Sequence, residues 1–246
     1  MNKFRIASLS LVLFLFKLNH VIAGDFAEFH SLGFSADGKV YAFEQFGIMD
    51  GSGFPYADRF FINVESDTYV KGTPFRVRIE DEEAGVLQAR KLVAEKSDVK
   101  MKTLGIGTKP GRLVAFNPST EVVNDSKSII YFPNHYKVNL GEPITISLET
   151  FEAQLPSGHD CQNYGGLDIN IFRLKLRPSP DEASETIYED KSLPKSRRCP
   201  QDYNIGGVVT LDEFGEPAVH VFLVLYESFG FEGPDGRWIA IPKVMN

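Results

Sequence analysis

The sequence predicts a mostly-β fold, a sandwich or a partial barrel or propeller-like sheet, with one helix near residues 81–97. Three observations predict it. Short apolar runs recur along the chain, separated by pieces rich in Gly, Pro, Asn and Asp. One stretch, 81–97, is free of proline and follows a run of carboxylates. Hydrophobic residues make up 43% of the chain, enough to line a sizeable core, so disorder is not the starting expectation.

The chain opens with an export-signal pattern. Lys3 and Arg5 precede an apolar run over residues 6–16, then a polar stretch over 17–20 and Val21-Ile22-Ala23. The run is well short of the roughly 20 residues that cross a bilayer. Small or branched residues at the last and third-last positions fit a signal peptidase, so the cut is expected after Ala23, with Gly24 the near alternative. Residues 1–23 are then a signal peptide and residues 24–246 a single mostly-β domain in the periplasm or outside the cell. Absence of a cysteine near the cut argues against a lipid anchor.

The first strand, 31–34, leads into the turn Ala36-Asp37-Gly38-Lys39, where Asp-Gly tolerates positive φ. Val40, Ala42 and Phe46 then alternate partly with Tyr41 and Glu44, as in a half-buried strand. Asp50-Gly51-Ser52-Gly53 breaks that strand, and residues 60–64 form the next. Glu80 to Glu83 place negative charge where a helix N-terminus favours it. Leu87, Lys91 and Ala94, with Val86, Arg90 and Val93, supply a modest stripe, so the helix is expected to lie half exposed across a sheet. Further strands are predicted at 112–116, 128–131, 144–150, 168–176, 207–211, 218–226 and 237–242. The proline- and charge-rich stretch 177–200 reads as an excursion, and no linker requires a second domain.

Cys161 and Cys199 are the two cysteines of the chain. In an oxidising compartment they are expected to pair. The bond would close a loop of roughly 38 residues, a constraint worth about 4 kcal/mol in the chain-entropy model.

Composition excludes several functions. Removing residues 1–23 takes away Lys3, Arg5 and Lys17 and no acid, moving the formal charge from −7 to −10. Such a domain repels phosphate backbones, which disfavours nucleic acid and anionic membrane surfaces as partners. Nucleophile and phosphate-loop motifs fail on their spacing. Ser52 is out of register for a nucleophile elbow, and Gly105-Ile106-Gly107-Thr108-Lys109-Pro110 lacks the required ending. His30, His135, His159 and His220 are not spaced for zinc, and the regular Asp-x-Asp-x-Asp-Gly calcium loop is absent. No cofactor or metal is implied.

Two patterns point toward function. Phe43-Glu44-Gln45-Phe46-Gly47 echoes Tyr226-Glu227-Ser228-Phe229-Gly230. Paired strands would bring Glu44 and Glu227 to one edge, where two carboxylates 5–10 Å apart form a glycosidase-like acid/base pair. Chance is the equal competitor, with both glutamates solvated. Aromatic residues also cluster beside glycines: Phe54 with Tyr56, Tyr131 with Tyr136, and Phe229, Phe231 and Trp238. At loop tips such rings stack on sugars or fill partner pockets, and inside a β domain they are core. Phe54, Tyr56 and Phe231 are the loop members and therefore the binding candidates, with Glu44 and Glu227 beside them.

Residues 34–43, Phe-Ser-Ala-Asp-Gly-Lys-Val-Tyr-Ala-Phe, look like the strand-turn-strand element of TolB-type propeller blades. Four further stretches are more specific: 50–56, 104–112, 198–203 and 230–237, the last reading Gly-Phe-Glu-Gly-Pro-Asp-Gly-Arg. Together they resemble the bacterial DUF2259 family of predicted secreted proteins of unknown function. The resemblance spans nearly the whole chain after the signal. It implies a periplasmic home and carries over no activity, cofactor or catalytic residue. The leading expectation is a non-enzymatic binding or envelope-associated module, with an envelope protein or glycan as partner. A carboxylate-based hydrolase of an envelope glycan is the alternative.

Overall fold

The computed structural model describes residues 24–118, 126–133, 141–164, 166–215 and 217–245. The predicted signal segment lies outside the described residues, as do His135 and Tyr136. The chain first forms β1 (Glu28–Phe34), β2 (Val40–Ile48), β3 (Pro55–Asn63), β4 (Thr68–Tyr69) and β5 (Phe75–Arg78), then α1 (Val86–Leu104). The strands β6 (Arg112–Phe116), β7 (Ser128–Tyr131), β8 (Ile144–Glu152), β9 (Asn170–Arg177) and β10 (Glu185–Glu189) follow. Three long strands complete the described fold: β11 (Pro200–Leu211), β12 (Val219–Ser228) and β13 (Asp235–Val244).

These strands make three antiparallel sheets. The N-terminal sheet runs β1-β2-β3-β4, with β5 also on β3; the outer sheet runs β10-β9-β8-β7; the central sheet runs β13-β12-β11-β6. The N-terminal and central sheets enclose one core, which includes Phe34, Tyr41, Phe43, Phe60, Val221, Leu223 and Trp238. The central and outer sheets enclose a second, with Ile146, Phe172, Leu174, Ile205, Phe222 and Val224. The central sheet is therefore buried on both faces. Along β12, Val221, Leu223 and Leu225 enter the first core while Phe222, Val224 and Tyr226 enter the second. This explains why its sequence is a near-continuous apolar run rather than an alternating one.

The mostly-β, sandwich-like reading holds, and no sheet closes into a barrel among the described residues. The β1–β2 hairpin forms at the predicted turn, but it belongs to a five-stranded sheet stacked on another rather than to a radial blade. Strand β2 departs from its half-buried expectation, because α1 covers the outer face of its sheet. Tyr41 and Phe43 point into the first core, while Ala42 and Phe46 pack on the helix side.

The helix starts later and ends later than its pattern suggests. Asp81 accepts the backbone N–H of Glu83 and, through its carbonyl, that of Ala84, so the carboxylate run builds a turn ahead of the helix. Gly85 is the N-cap, and nothing breaks the helix until Gly105 adopts the left-handed C-cap at φ 60°. Ala89, Val93 and Ser97, spaced by four, face the sheet; Leu87 of the predicted stripe is exposed.

The excursion 177–200 returns to the fold, since β10 pairs with β9 along the edge of the outer sheet. Its far end is pinned by the Cys161–Cys199 disulfide, with 5.4 Å between the Cα atoms. Among the described residues no helix is long and apolar enough to cross a membrane.

Candidate functional site

Strand β13 is an edge of the central sheet, and the two flanking sheets reach past it on either side. The result is a cleft of about 430 Å³ along β13, within the size range of small-ligand sites, roughly 300–1,000 Å³. Trp238 to Ile241 form its floor, Phe60, Tyr69 and Arg76 one wall, and Tyr188 and Arg197 the other.

The floor is fixed by Trp238. Its indole N–H donates to the Ala27 carbonyl at 2.7 Å, and its backbone N–H donates to the Gln45 side-chain oxygen at 2.9 Å. That second bond ties the central sheet to the N-terminal sheet, and within the latter the Gln45 amide donates to Asp58 at 3.3 Å. The ring lies so close to β11 that a Cβ on Gly206 would come within 2.2 Å of it, so only glycine fits there.

Charge in the cleft is paired. Arg76 meets Asp58 at 3.2 Å, Arg197 meets Asp190 at 2.5 Å, Arg198 faces Asp235 at 3.7 Å and Arg237 meets Asp25 at 2.5 Å. Arg197 is buried and also lies over the rings of Phe172, Tyr203 and Tyr188, at 4.8, 5.6 and 5.9 Å. Burial raises the Asp58 carboxyl above its ordinary value, with Arg76 opposing. Asp67 stands at the rim in a left-handed conformation, φ 49°. Crowding by the cleft walls pushes its carboxyl up to about 7 against the pull of Arg197. The residue is exposed, so solvent screens part of that rise.

Tyr226 completes the lining. It is 8% exposed, contacts the Tyr203 ring, and its hydroxyl has no hydrogen-bond partner among the described residues. Burial raises its phenol above the ordinary tyrosine range.

The candidates from the sequence fall in different places. Phe231 is exposed on the loop between Ser228 and Asp235, both of which line the cleft. That loop docks on the 50–53 turn: the Glu232 N–H donates to Asp50 at 2.7 Å, and Phe231 packs on Gly51. Phe54 follows that turn and is half-buried. Tyr56 is not a loop residue. Strand β3 begins at Pro55, so Tyr56 is buried within it, donating its hydroxyl to Asp25 at 2.9 Å beneath the Arg237 guanidinium.

The two echo glutamates do not share an edge. Glu44 is on β2, in the N-terminal sheet, and Glu227 is on β12, in the central sheet. Glu44 is fully buried on the helix side and binds Arg59 and Arg90 at 2.7 and 2.5 Å. Glu227 accepts from Asn204 at 3.1 Å; burial, with Asp202 nearby, raises its carboxyl. Neither lines the cleft.

Sequence reasoning missed Asp58, Tyr69, Arg76, Arg197 and Tyr226 as site residues. A charge inside an apolar strand is the signal for Asp58, which sits in Tyr56-Ala57-Asp58-Arg59-Phe60. The others carry none, because the cleft is assembled from three sheets.

Among curated proteins and among solved structures, none matches this chain. The family model of the DUF2259 predicted secreted proteins matches residues 42–243, a span that includes the residues lining the cleft, Gln45 to Ile241. The chain belongs to the DUF2259 family of predicted secreted proteins.

Proposed function

We propose that this is a periplasmic binding module, freed from its signal after Ala23 and folded as one domain over residues 24–246, that holds a small polar ligand in the β13 cleft at the cell envelope. The carrying observation is the cleft itself: about 430 Å³ with an ordered tryptophan floor and charged walls whose arginines face carboxylates. Charges held in pairs and rigid rings suit the orientation of a bound ligand, which favours a binding role. Close docking of residues 24–27 supports the position of the cut. Gly24 lies against the Pro234 carbonyl, the Ala27 N–H donates to the Gly236 carbonyl, and the Gly236 N–H donates to the Asp25 carbonyl. Phe231, on the loop joining two cleft residues, is the rim contact of this reading.

The test is a thermal-shift screen of soluble envelope extract fractions and polar metabolites against the protein recovered from the periplasm. Stabilising compounds should lose their effect in Tyr69→Ala, which removes a wall and leaves the sheets intact. Stabilisation that survives equally in Tyr69→Ala would place binding elsewhere. A mature N-terminus at Met1 would refute the export arm.

A further inference from the structure

We infer that the ligand of the β13 cleft is a neutral saccharide, anchored by the Tyr226 hydroxyl and stacked on Tyr69. The inference rests on the cleft being a binding site and adds the class of what it binds.

Charge balance argues first. The lining arginines are each set against an aspartate, so no cation is left over to select a phosphate or carboxylate ligand. Of the charged lining groups, Asp67 has no salt-bridge partner among the described residues, and it stands exposed at the rim rather than on the floor. Apart from Asp67, the floor and walls are electroneutral and penalise an ion, which would lose its hydration without a fixed counter-charge.

The remaining surface suits a sugar. Tyr69 is half exposed at the mouth, its ring held 5.8 Å from Phe60. A ring so supported offers a flat apolar face to the C–H side of a pyranose. Planar hydrogen-bonding groups with fixed geometry, Gln45 and Asp58 with Arg76, border it. These suit the in-plane hydroxyls of a sugar.

Tyr226 points to a polar ligand independently. A phenol this deeply buried normally finds a partner. Here the buried Tyr56 and Tyr203 and the half-buried Tyr188 each have one: Tyr56 bonds Asp25, Tyr203 bonds the Asn170 carbonyl and Tyr188 bonds Asp190. Tyr226 lines the cleft with its hydroxyl unpaired among the described residues, and a polar ligand would supply the partner. A neutral hydroxyl of a sugar both donates and accepts, as this phenol does.

Trp238 is the single tryptophan of the chain and forms the cleft floor, so its emission is a native reporter. Maltose, cellobiose and chitobiose, each beside its tetrasaccharide, would be titrated against the periplasmic protein while Trp238 emission is followed. Glucuronate, glucose 6-phosphate and a mixed tetrapeptide pool serve as charged and peptidic controls. Saturable change with at least one neutral saccharide is expected, tighter for the tetrasaccharide if the source is a glycan chain and equal if it is free sugar. Tyr226→Phe should weaken it about three- to tenfold, the loss of one hydrogen bond, with the melting temperature unchanged or raised. Tyr69→Ala should weaken it further. Saturation only by the charged or peptidic controls would overturn the saccharide class while leaving a binding cleft. Equal affinity in Tyr226→Phe would overturn the anchor. No response to any probe would overturn both this inference and the binding reading on which it rests.

Discussion

Asp25 and Arg237 lock the first described residues to the last strand. The guanidinium donates to the Asp25 carboxylate at 2.5 Å and to its backbone carbonyl at 2.7 Å, and lies 4.6 Å over the Tyr56 ring. This cluster closes one end of the cleft, since Arg237 and Asp235 line it. Asp25→Ala would strand a buried guanidinium and leave the Tyr56 hydroxyl without its acceptor. The expected loss is about 3 kcal/mol, typical of breaking a buried pair. Urea unfolding measures it, and Asp25→Ala/Arg237→Met should recover part of the loss.

Glu44 serves the fold. Its two oxygens hold Arg59 from β3 and Arg90 from α1, and Arg59 reaches on to the Ser97 hydroxyl at 3.1 Å. This node fastens the helix to the N-terminal sheet. Glu44→Gln is expected to cost about 3 kcal/mol by leaving two guanidinium groups short of charge. Hydrogen exchange should show the loosening first in α1. A variant as stable as wild type would show that apolar contacts alone, Ala89 and Val93 against Ala57, hold the helix.

His220 gives the fold an acid limit. It is 2% exposed, sits beside Phe222 and is hydrogen-bonded through Nδ1 to the Tyr131 hydroxyl at 2.7 Å; burial lowers its pKa to about 4. Between the ordinary value of 6.5 and about 4 the unfolded chain binds a proton that the folded chain refuses. Stability from this residue is therefore complete above pH 6.5 and falls as pH drops toward 4, by roughly 3 kcal/mol in all. The difference in unfolding free energy between wild type and His220→Gln, followed from pH 7 to 4, isolates this contribution from that of the carboxylates. A pH-independent difference would contradict it.

Cys161→Ser/Cys199→Ser should lower stability by about 2–4 kcal/mol, because the 38-residue separation no longer restricts the unfolded chain. Local loosening is expected between β9 and β11, where Arg197 is held against Asp190. Differential scanning calorimetry of the variant beside reduced wild type checks both the size of the effect and its source. Ligand affinity should fall with it, since Arg197 belongs to a cleft wall.

The sequence by itself determined the local elements and the covalent pairing. Strands β6 and β7 occupy the residues their patterns mark, the Asp37-Gly38 turn joins β1 to β2, and Cys161 pairs with Cys199. These depend on side-chain period, on turn chemistry and on two cysteines having no other partner, all written within short stretches. Only the tertiary structure decided which sheet each strand joins. The similar stretches around Glu44 and Glu227 entered different sheets because strand neighbours are chosen by facing surfaces, and a period-two pattern does not encode its partner. Tyr56 moved from loop to core because β3 begins at Pro55, five residues ahead of the start its pattern predicts. The cleft is the furthest from legible: Asp58 and Tyr69 come from the N-terminal sheet, Trp238 from the central sheet and Arg197 from the turn after β10, and they meet only because an edge strand lies between two overhanging neighbours.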